Sequence, residues 1–554
     1  MKLSRLLLAV VVLCGAAGAA EARPVRPYEA AIPYSSALAA RLAGSEPVVV
    51  GDRVLDGAAL RALYGARGYA PLWIGEAGIL PTGEALQAGL SGLAAAEGLE
   101  PVDYYPEEIG ARLRSADEEA RVGLELLLSA AAMRYGADVQ AGRFNPRVLG
   151  DEIDYDRKPV DRPAIALATA HAPDPIGHLR SLAPTHARYA DLRTALARYR
   201  ALAAAGGWPQ VPGGDTLRPG DISDRLIALR DRLAVTGDYR GEPAAMPGPF
   251  YEGELVEAVR RFQARHGLGV DGVVGRRTLA AFNVPVEERV DQILASMERW
   301  RWLPADLGRR YIMVNLPDYR LILVEDGDLV RDMSVIVGQD DRRTPLFSSA
   351  LTWLEFNPTW TMPRSIAVKD YLPKLLNDPS YLANHGIRLF SGWHEGAMEM
   401  DARFVDWAQI GTGIRHYMLR QEPGPGNALG KVKFMMANNF SVYLHDTPSR
   451  GLFSRSHRAL SSGCVRVEDP VWLADHLLAD SARWQGSRDR VLSGWDTTRI
   501  DLPRPMPLHL TYTTALVDPG GEVGFREDIY GLDAAVVAAI AEARPRSVRV
   551  ASAN

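Results

Sequence analysis

The 554-residue sequence predicts a multidomain α+β protein with a helical N-terminal region and a mainly β domain towards its C-terminus. Three observations predict this class. From about residue 28 to 200, apolar residues recur at steps of three and four, as in Leu124 to Met133 and Leu192 to Leu202. From Tyr311 onwards, apolar and polar residues alternate, as strands require. At about 150 residues per domain, the length allows three or four domains.

Residues 1–22 have the pattern of a secretory signal peptide. Lys2 and Arg5 precede the apolar run Leu6 to Leu13, and small residues follow as far as Ala20-Glu21-Ala22. The apolar run is too short to span a bilayer comfortably. We therefore predict export, with an uncleaved leader that associates with the membrane through the N-terminus as the alternative. Leu13 before Cys14 argues against lipid attachment, since a small residue is typical there.

Composition excludes one class of partner and isolates one residue. The net charge is −5, from 63 basic and 68 acidic residues, so no electrostatic footprint for nucleic acid is present. Because Cys14 lies in the leader, Cys464 is the only cysteine that a mature chain retains. A lone exported thiol is prone to mispairing and oxidation, which suggests that chemistry requires it.

Residues 23–215 contain no clustered nucleophile, base or metal set, and we interpret them as a helical scaffold domain. A compact helical unit is predicted at 216–286, followed by a helical connector at 287–309. In this unit, Leu255 to Phe262 forms one apolar helix face, Gly267 ends that helix, Asp271-Gly272 makes a turn, and Thr278 to Phe282 starts another helix.

The same unit resembles the three-helix peptidoglycan-binding module of cell-wall enzymes. The resemblance rests on its FQ, HGL, DG and G-x-x-T positions. Which of its residues contact glycan is not visible from the sequence. An unrelated helical bundle is the alternative interpretation.

The sheet domain is predicted at 310–518, with a C-terminal extension at 519–554. A hairpin turn is expected at Glu325-Asp326-Gly327. Between the strands, a mixed insert at about 364–430, with a helix at Lys369 to Leu376, is expected to form a lid over a site. Further strands are predicted at Leu351 to Phe356, Lys433 to Phe434, Ser441 to Leu444 and Leu508 to Val517.

Cys464 is the predicted nucleophile, and such a thiol needs a base because its ordinary pKa is about 8.5. His445 ends the strand SVYLH, where a rigid support would hold it near a neighbouring loop. His457, in a loop rich in Ser and Arg, is the alternative base. We favour His445 because a strand holds geometry better than a loop.

The neighbours of the thiol also have expected roles. Gly463 permits close approach of the backbone, and the amides of Gly463 and Cys464 are candidates for an oxyanion hole. Arg466 lies two residues beyond the nucleophile and on the same side if the backbone is extended. Its role is either to bind a substrate carboxylate or to form a salt bridge that secures the loop.

These residues carry a close resemblance to a known family. The stretch LHDTP, then LF, then RALSSGCVRV is similar to the catalytic signature of L,D-transpeptidases, cysteine enzymes that cross-link peptidoglycan. Segments 357–382 and 510–533 resemble the large periplasmic subgroup with a helical scaffold and an inserted wall-binding module. By position, Cys464 matches the acylated nucleophile, His445 the base and Arg466 the family arginine. Ser462 stands where many members have histidine.

The resemblance implies a two-step acyl transfer without a cofactor or metal. Cys464 would attack the third residue of a tetrapeptide stem, release D-Ala, and pass the acyl group to a neighbouring stem as a 3→3 cross-link. It also implies a periplasmic location, peptidoglycan stem peptides and glycan as partners, other cell-wall enzymes as potential partners, and acylation by carbapenems.

Several alternatives stay open at this point. Water as acceptor would make the protein an L,D-carboxypeptidase, and a lipoprotein lysine would make it an anchoring enzyme. A non-catalytic wall-binding scaffold, with Cys464 as a small buried hydrophobe, is a third class. A zinc peptidase is disfavoured because no H-E-x-x-H occurs and His394-Glu395 lacks a second histidine.

Overall fold

The computed structural model describes residues 32–241, 248–545 and 547. The predicted signal peptide at 1–22, with Cys14, lies outside the described residues. Within those ranges, no helix combines the length and apolar character needed to cross a bilayer.

Within the described N-terminal region, eight helices and five short strands alternate. The helices are α1 (Ser35–Leu42), α2 (Gly57–Gly65), α3 (Pro81–Ala96), α4 (Pro106–Arg112), α5 (Glu118–Ala141), α6 (Arg162–His171), α7 (Pro175–Ser181) and α8 (Ala187–Ala204). The strands are β1 (Val48–Val50), β2 (Arg53–Leu55), β3 (Ile74–Gly75), β4 (Gly78–Ile79) and β5 (Ile153–Asp154). The predicted helical character of this region is confirmed.

Helix α5 is the centre of the scaffold, since residues on all its faces are buried. It carries a fully buried carboxylate, Glu125, which accepts hydrogen bonds from the Tyr64 hydroxyl at 2.6 Å and the Trp73 amide at 2.9 Å. Burial raises the pKa of Glu125 to about 7, while these hydrogen bonds act to lower it. The carboxylate thereby joins α2 and the segment before β3 to α5.

The predicted three-helix unit consists of α9 (Arg225–Val235), α10 (Glu254–Arg265) and α11 (Arg276–Phe282). Phe262 on α10 stacks on Phe282 with ring centroids 3.9 Å apart. Gly267 ends α10 with φ 64°, a conformation that favours glycine. The side chain of Gln263 accepts a hydrogen bond from the Gly272 amide at 2.9 Å and thereby stabilises the Asp-Gly turn. The connector is one helix, α12 (Val286–Trp302).

The sheet closes on itself, because β9 pairs with β18 on one side and with β14 on the other. The order is β14, β15, β17, β8, β7, β6, β18 and β9, with β16 added beside β8. These strands are β6 (Arg310–Asn315), β7 (Arg320–Glu325), β8 (Asp328–Gly338), β9 (Leu346–Phe356), β14 (Val432–Met436), β15 (Leu444–His445), β16 (Ala459–Ser461), β17 (Val465–Val467) and β18 (Thr498–Thr511).

Two strand predictions need correction. The strand expected from Ser441 is paired only at β15, because Ser441 has φ 57° and cannot continue an extended strand. The strand expected from Leu508 to Val517 is interrupted: β18 ends at Thr511, and a separate hairpin begins at Ala515. The hairpin turn predicted at Asp326-Gly327 is confirmed, with φ 52° and 92°.

The insert is a compact subdomain with its own core. It contains more regular secondary structure than the single helix predicted for it. Its four-stranded sheet has the order β10, β13, β11, β12. The strands are β10 (Trp360–Thr361), β11 (Ile387–Phe390), β12 (Glu399–Met400) and β13 (Met418–Gln421). The helices are α13 (Arg364–Ile366), α14 (Leu372–Asn377), α15 (Tyr381–Asn384) and α16 (Trp407–Ile410), with a π-helical turn at Ala367–Tyr371. Its core includes Met362, Leu375, Leu382, Ile414 and Leu419.

The C-terminal part packs against the rest of the molecule. It contains α17 (Pro470–Leu477), α18 (Ala482–Gln485), α19 (Arg488–Ser493), the hairpin of β19 (Ala515–Val517) and β20 (Val523–Phe525), and α20 (Leu532–Glu542). The hairpin contacts the three-helix unit, since Arg265 donates to the Val523 carbonyl and Arg526 to the Arg265 carbonyl, both at 2.7 Å. The unit is therefore fixed to the sheet domain through the C-terminal segment.

Part of the scaffold shares a core with the sheet domain, whereas residues of α1 to α7 form a separate core. Strand β5 pairs in parallel with β9, at Ile153 with Leu346 and at Asp154 with Phe347. Buried residues of α8, α12, the closed sheet and α20 belong to a single hydrophobic cluster. Strand β5 and helix α8, from the predicted scaffold domain at 23–215, therefore pack with the sheet domain.

Candidate active site

The short strands β15 and β17 bring the predicted catalytic residues together. They pair in parallel, with Leu444 opposite Val465 and His445 opposite Arg466. Paired residues of neighbouring strands point to the same side of a sheet, so His445 and Arg466 share one face. The charge of Arg466 acts on both the Cys464 thiol and the His445 ring. Cys464, His445 and Arg466 therefore form one cluster.

Cys464 is a free, half-buried thiol. Burial raises its pKa, while hydrogen bonding from Tyr443 and the positive charges of Lys433 and Arg466 act to lower it. Since burial has the larger effect, the thiol is protonated at rest near neutral pH. A proton acceptor is then needed to form the thiolate.

His445 is 5% exposed and held by its own neighbour. Its Nδ1 lies 2.5 Å from the Asp446 carbonyl oxygen, which requires a proton on Nδ1 and leaves Nε2 as the acceptor. Burial lowers the pKa of His445 to about 3, and the charges of Arg466 and Lys433 act in the same direction. The ring is therefore neutral near pH 7 and has the protonation state of a base.

Two cations flank the histidine. Lys433 lies opposite His445 in the register of β14 and β15, with Nζ 4.2 Å from the centroid of the Tyr443 ring. The Arg466 Nε is buried without a hydrogen-bond partner within the described structure. Burial lowers the pKa of both side chains. The salt bridge considered for Arg466 is not found among the described residues, which leaves its guanidinium available to a ligand.

The loop before the nucleophile is stabilised by Ser461. Its hydroxyl donates to the Cys464 carbonyl at 2.6 Å and accepts from the Gly463 amide at 3.2 Å. The Gly463 amide is therefore occupied in this conformation, and its role in an oxyanion hole stays a prediction. Gly463 has φ 110°, which favours glycine here.

Ser462 connects the nucleophile loop to the insert. This exposed residue accepts a hydrogen bond from Arg342 Nη1 at 2.9 Å. The same guanidinium pairs with both oxygens of Asp370 in the insert, at 2.5 and 2.8 Å. The insert is thus anchored beside the nucleophile, as a lid would be.

His457, the alternative base, has another partner. Its Nδ1 lies 3.1 Å from the Tyr319 hydroxyl, and the two rings meet edge to face. The Tyr319 ring is covered on another side by Arg458. These contacts favour a structural role for His457.

The sequence did not single out three contributors to the site. Tyr443 precedes His445 by two residues, so the strand alternation contained a signal for it. Lys433 and Arg342 come from other parts of the chain, and their positions depend on strand register and loop packing, which the sequence does not reveal.

Family models match three parts of the chain. The model of the L,D-transpeptidase catalytic domain matches residues 309–494. Residues 309–494 are thus similar to an L,D-transpeptidase catalytic domain. A scaffold domain model matches residues 58–196, and a peptidoglycan binding domain model matches residues 223–282. The resemblance and the fold class predicted from the sequence are confirmed.

Relatives of the transpeptidase domain are found among known proteins. A Haemophilus influenzae protein whose name provisionally assigns it as an L,D-transpeptidase is 40% identical over 248 residues, which is 45% of this chain and 49% of the relative. The chain thus spans about half the length of that relative.

Solved structures of L,D-transpeptidases also resemble the chain. One from Xylanimonas cellulosilytica is 18% identical, covering 54% of this chain and 98% of that chain, with a TM-score of 0.17. Another, from Mycobacterium smegmatis, is 14% identical, covering 37% and 58% respectively, with a TM-score of 0.18.

In the structure, the sheet domain extends beyond the matched residues. The match ends before β18, yet β18 pairs with both β6 and β9 and closes the sheet. A cavity of about 720 Å³ lies between α11, α12 and α20, and its lining does not include Cys464 or His445.

Proposed function

We propose that this chain is a cysteine L,D-transpeptidase that forms 3→3 cross-links in peptidoglycan. The observation that supports this most directly is the pairing of β15 with β17, which sets His445 opposite Arg466 and directly beside the Cys464 position, with the Arg466 Nε free of a hydrogen-bond partner among the described residues. A nucleophile, a base and a cation within a transpeptidase domain suit acyl transfer on a carboxylate-bearing peptide.

In the proposed first step, Cys464 Sγ forms a bond to the carbonyl carbon of the third, diamino-acid residue of a tetrapeptide stem. His445 Nε2 takes the thiol proton and gives it to the nitrogen of the terminal D-Ala as the C–N bond breaks. In the second step, an amine nitrogen of a neighbouring stem forms a bond to the same carbonyl carbon, and the C–S bond to Cys464 breaks. His445 takes the proton of that amine and returns it to Sγ.

The environment of each group suits this sequence of proton transfers. Burial keeps Cys464 protonated and His445 neutral, so the resting pair is thiol and imidazole. The base is therefore unprotonated at neutral pH. The imidazolium that forms transiently then serves as the acid for the departing D-Ala.

The proposed partner is the cell wall. The transpeptidase and peptidoglycan binding domains support peptidoglycan as the polymer on which the protein acts. We propose that the three-helix unit binds the wall while the insert, anchored by Arg342, covers the stem peptide. This function implies a periplasmic location, consistent with the predicted leader.

A purified sample incubated with disaccharide-tetrapeptide tests the proposal by mass spectrometry. We expect a dimer that has lost one D-Ala, and we expect chelator to leave its yield unchanged. Tripeptide alone would instead identify an L,D-carboxypeptidase, and preferential transfer to an added peptide with a C-terminal lysine would identify an anchoring enzyme. No turnover and no carbapenem adduct would overturn the enzymatic proposal and leave a wall-binding scaffold.

Arg466 is the proposed carboxylate ligand, and Arg466→Gln tests this role. We expect KM for the tetrapeptide to rise by about tenfold or more, because a hydrogen bond to a charged group is worth ~1.5–3 kcal/mol. Arg466→Lys keeps the positive charge but not the planar guanidinium group, so its KM should lie between those of the wild type and Arg466→Gln. Steady-state D-Ala release measures this, and an unchanged KM in Arg466→Gln would contradict the assignment.

A further inference from the structure

The two backbone amides next to the nucleophile differ in their hydrogen bonds. The Gly463 amide is engaged by Ser461, whereas the Cys464 amide has no hydrogen-bond partner among the described residues. An acyl transfer needs at least one such donor for the oxyanion of its tetrahedral intermediate. If the chain works as proposed above, the Cys464 amide is the donor that the loop leaves free.

The direction of this amide is set by the carbonyl of Gly463. A trans peptide unit is planar, and its C=O and N–H point in opposite directions. The hydroxyl of Thr344 donates to the Gly463 carbonyl oxygen at 2.8 Å. Fixing that oxygen therefore aims the Cys464 N–H away from Thr344.

Thr344 is itself held in place. Its hydroxyl accepts a hydrogen bond from the Gly338 amide at 2.8 Å, which leaves its own proton for Gly463. Thr344 is 1% exposed. The loop that contains it packs tightly, since a Cβ on Gly338 would lie 2.2 Å from the Arg342 carbonyl oxygen.

Tyr530 closes this loop from the C-terminal segment. Its hydroxyl donates to the Gly338 carbonyl at 2.6 Å and accepts from the Thr344 amide at 3.2 Å. Tyr530 is 4% exposed and lies outside the matched transpeptidase residues, which end at 494. One phenol thus bridges both ends of the segment that carries the Thr344 hydroxyl.

Tyr530 is supported in turn by a second tyrosine. Its amide donates to the Tyr512 hydroxyl at 2.8 Å, and that hydroxyl donates to Asp528 at 2.5 Å. The two tyrosine rings stack with centroids 5.6 Å apart. The position of the phenol is therefore determined by packing as well as by its own hydrogen bonds.

We propose that Thr344 and Tyr530 are positioning residues that orient the Cys464 amide as the oxyanion donor of the acyl-transfer reaction. Neither touches the substrate. Thr344 acts through the Gly463 carbonyl, and Tyr530 acts through Thr344 and Gly338. This assigns a function in catalysis to the C-terminal segment.

Two matched pairs of variants test the proposal in the full chain. Thr344→Val removes the hydroxyl and Thr344→Ser keeps it, while Tyr530→Phe is compared with Tyr155→Phe. Tyr155 is also a buried tyrosine outside the matched transpeptidase residues, but its hydroxyl donates to the Leu510 carbonyl, on β18. Each variant is assayed for carbapenem acylation and D-Ala release, which pass through an oxyanion, and for alkylation of Cys464 by iodoacetamide, which does not.

We expect Thr344→Val and Tyr530→Phe to lower kcat and the acylation rate by about tenfold, a fraction of the ~10²–10³-fold that loss of an oxyanion donor costs. KM and the alkylation rate should be unchanged, and Thr344→Ser and Tyr155→Phe should retain wild-type rates. Equal losses of acylation and alkylation would indicate a disordered loop and overturn the proposal, as would unchanged acylation. An inactive wild-type protein would instead refute the proposed function itself.

Discussion

Cys464→Ala should abolish both D-Ala release and the carbapenem adduct, with a loss of at least ~10³-fold in kcat/KM. Among the described residues, no other side chain on the shared face of β15 and β17 is a thiol. The variant would therefore have no nucleophile to form the thioester. Intact-protein mass spectrometry after incubation with a carbapenem measures the adduct directly. Liquid chromatography of released D-Ala measures turnover.

The controls separate loss of the nucleophile from loss of the fold. Ser454→Ala, in the neighbouring loop, removes a hydroxyl that bonds only the nearby Gly451 carbonyl, and it should keep full activity. Because alanine fits the half-buried space of cysteine, we expect Cys464→Ala to change Tm by only a few degrees. An adduct on Cys464→Ala would mean that another group carries the acyl chain.

His445→Gln is expected to lower the acylation rate by ~10²–10⁴-fold, the usual contribution of a general base. Glutamine can keep a hydrogen bond to the Asp446 carbonyl but cannot take the thiol proton. His457→Gln is the matched control, since His457 is bonded to Tyr319 and should not be needed for activity. If His457→Gln, and not His445→Gln, abolished acylation, the assignment of the base would be reversed.

The same variant has an expected effect on stability. An unfolded histidine takes up a proton below about pH 6.5, whereas the folded His445, with a pKa of about 3, stays neutral. The unfolded state therefore binds more protons as the pH falls from about 6.5 towards 3, so the contribution of His445 to the free energy of unfolding is complete above that range and is lost within it. The fall in Tm between pH 7.5 and 4.5 should be smaller for His445→Gln than for wild type. An equal fall would show that His445 is not buried in a neutral state.

Local sequence patterns predicted most of the candidate site because its central residues lie close together in the chain. Cys464, Gly463 and Arg466 are neighbours, and His445 is separated from them by one loop. Alternation predicted a strand at Ser441 to Leu444, of which only the end is paired, and it did not predict β17, whereas the Asp-Gly pair at 326–327 predicted its hairpin turn.

The remaining features depend on contacts between distant parts of the chain. The contact of Arg342 with Asp370 and Ser462 needs the packed insert, and the bridge made by Tyr530 needs the C-terminal segment. The capture of the Gly463 amide by Ser461 depends on one side-chain rotamer. Hydrophobic periodicity contains no information on any of these.

The insert illustrates the same limit in another way. Its mixed pattern suggested a lid of loops, yet it forms a four-stranded sheet over a separate core. Strands of two to four residues are too short for alternation to be recognised. The pairing of such short strands depends on packing against the surrounding helices, which local sequence does not predict.

The pairing of β5 with β9 constrains the order in which the molecule can fold. Ile153 and Asp154 leave the ribosome long before Leu346 and Phe347, the residues with which they pair. Closing so long a loop is slow, because its entropy must be lost before the contact is made. During synthesis, β5 therefore lacks its partner strand until β9 has been made. We expect a nascent chain that is interrupted before Leu346 to be prone to aggregation and proteolysis, because this strand edge is uncovered.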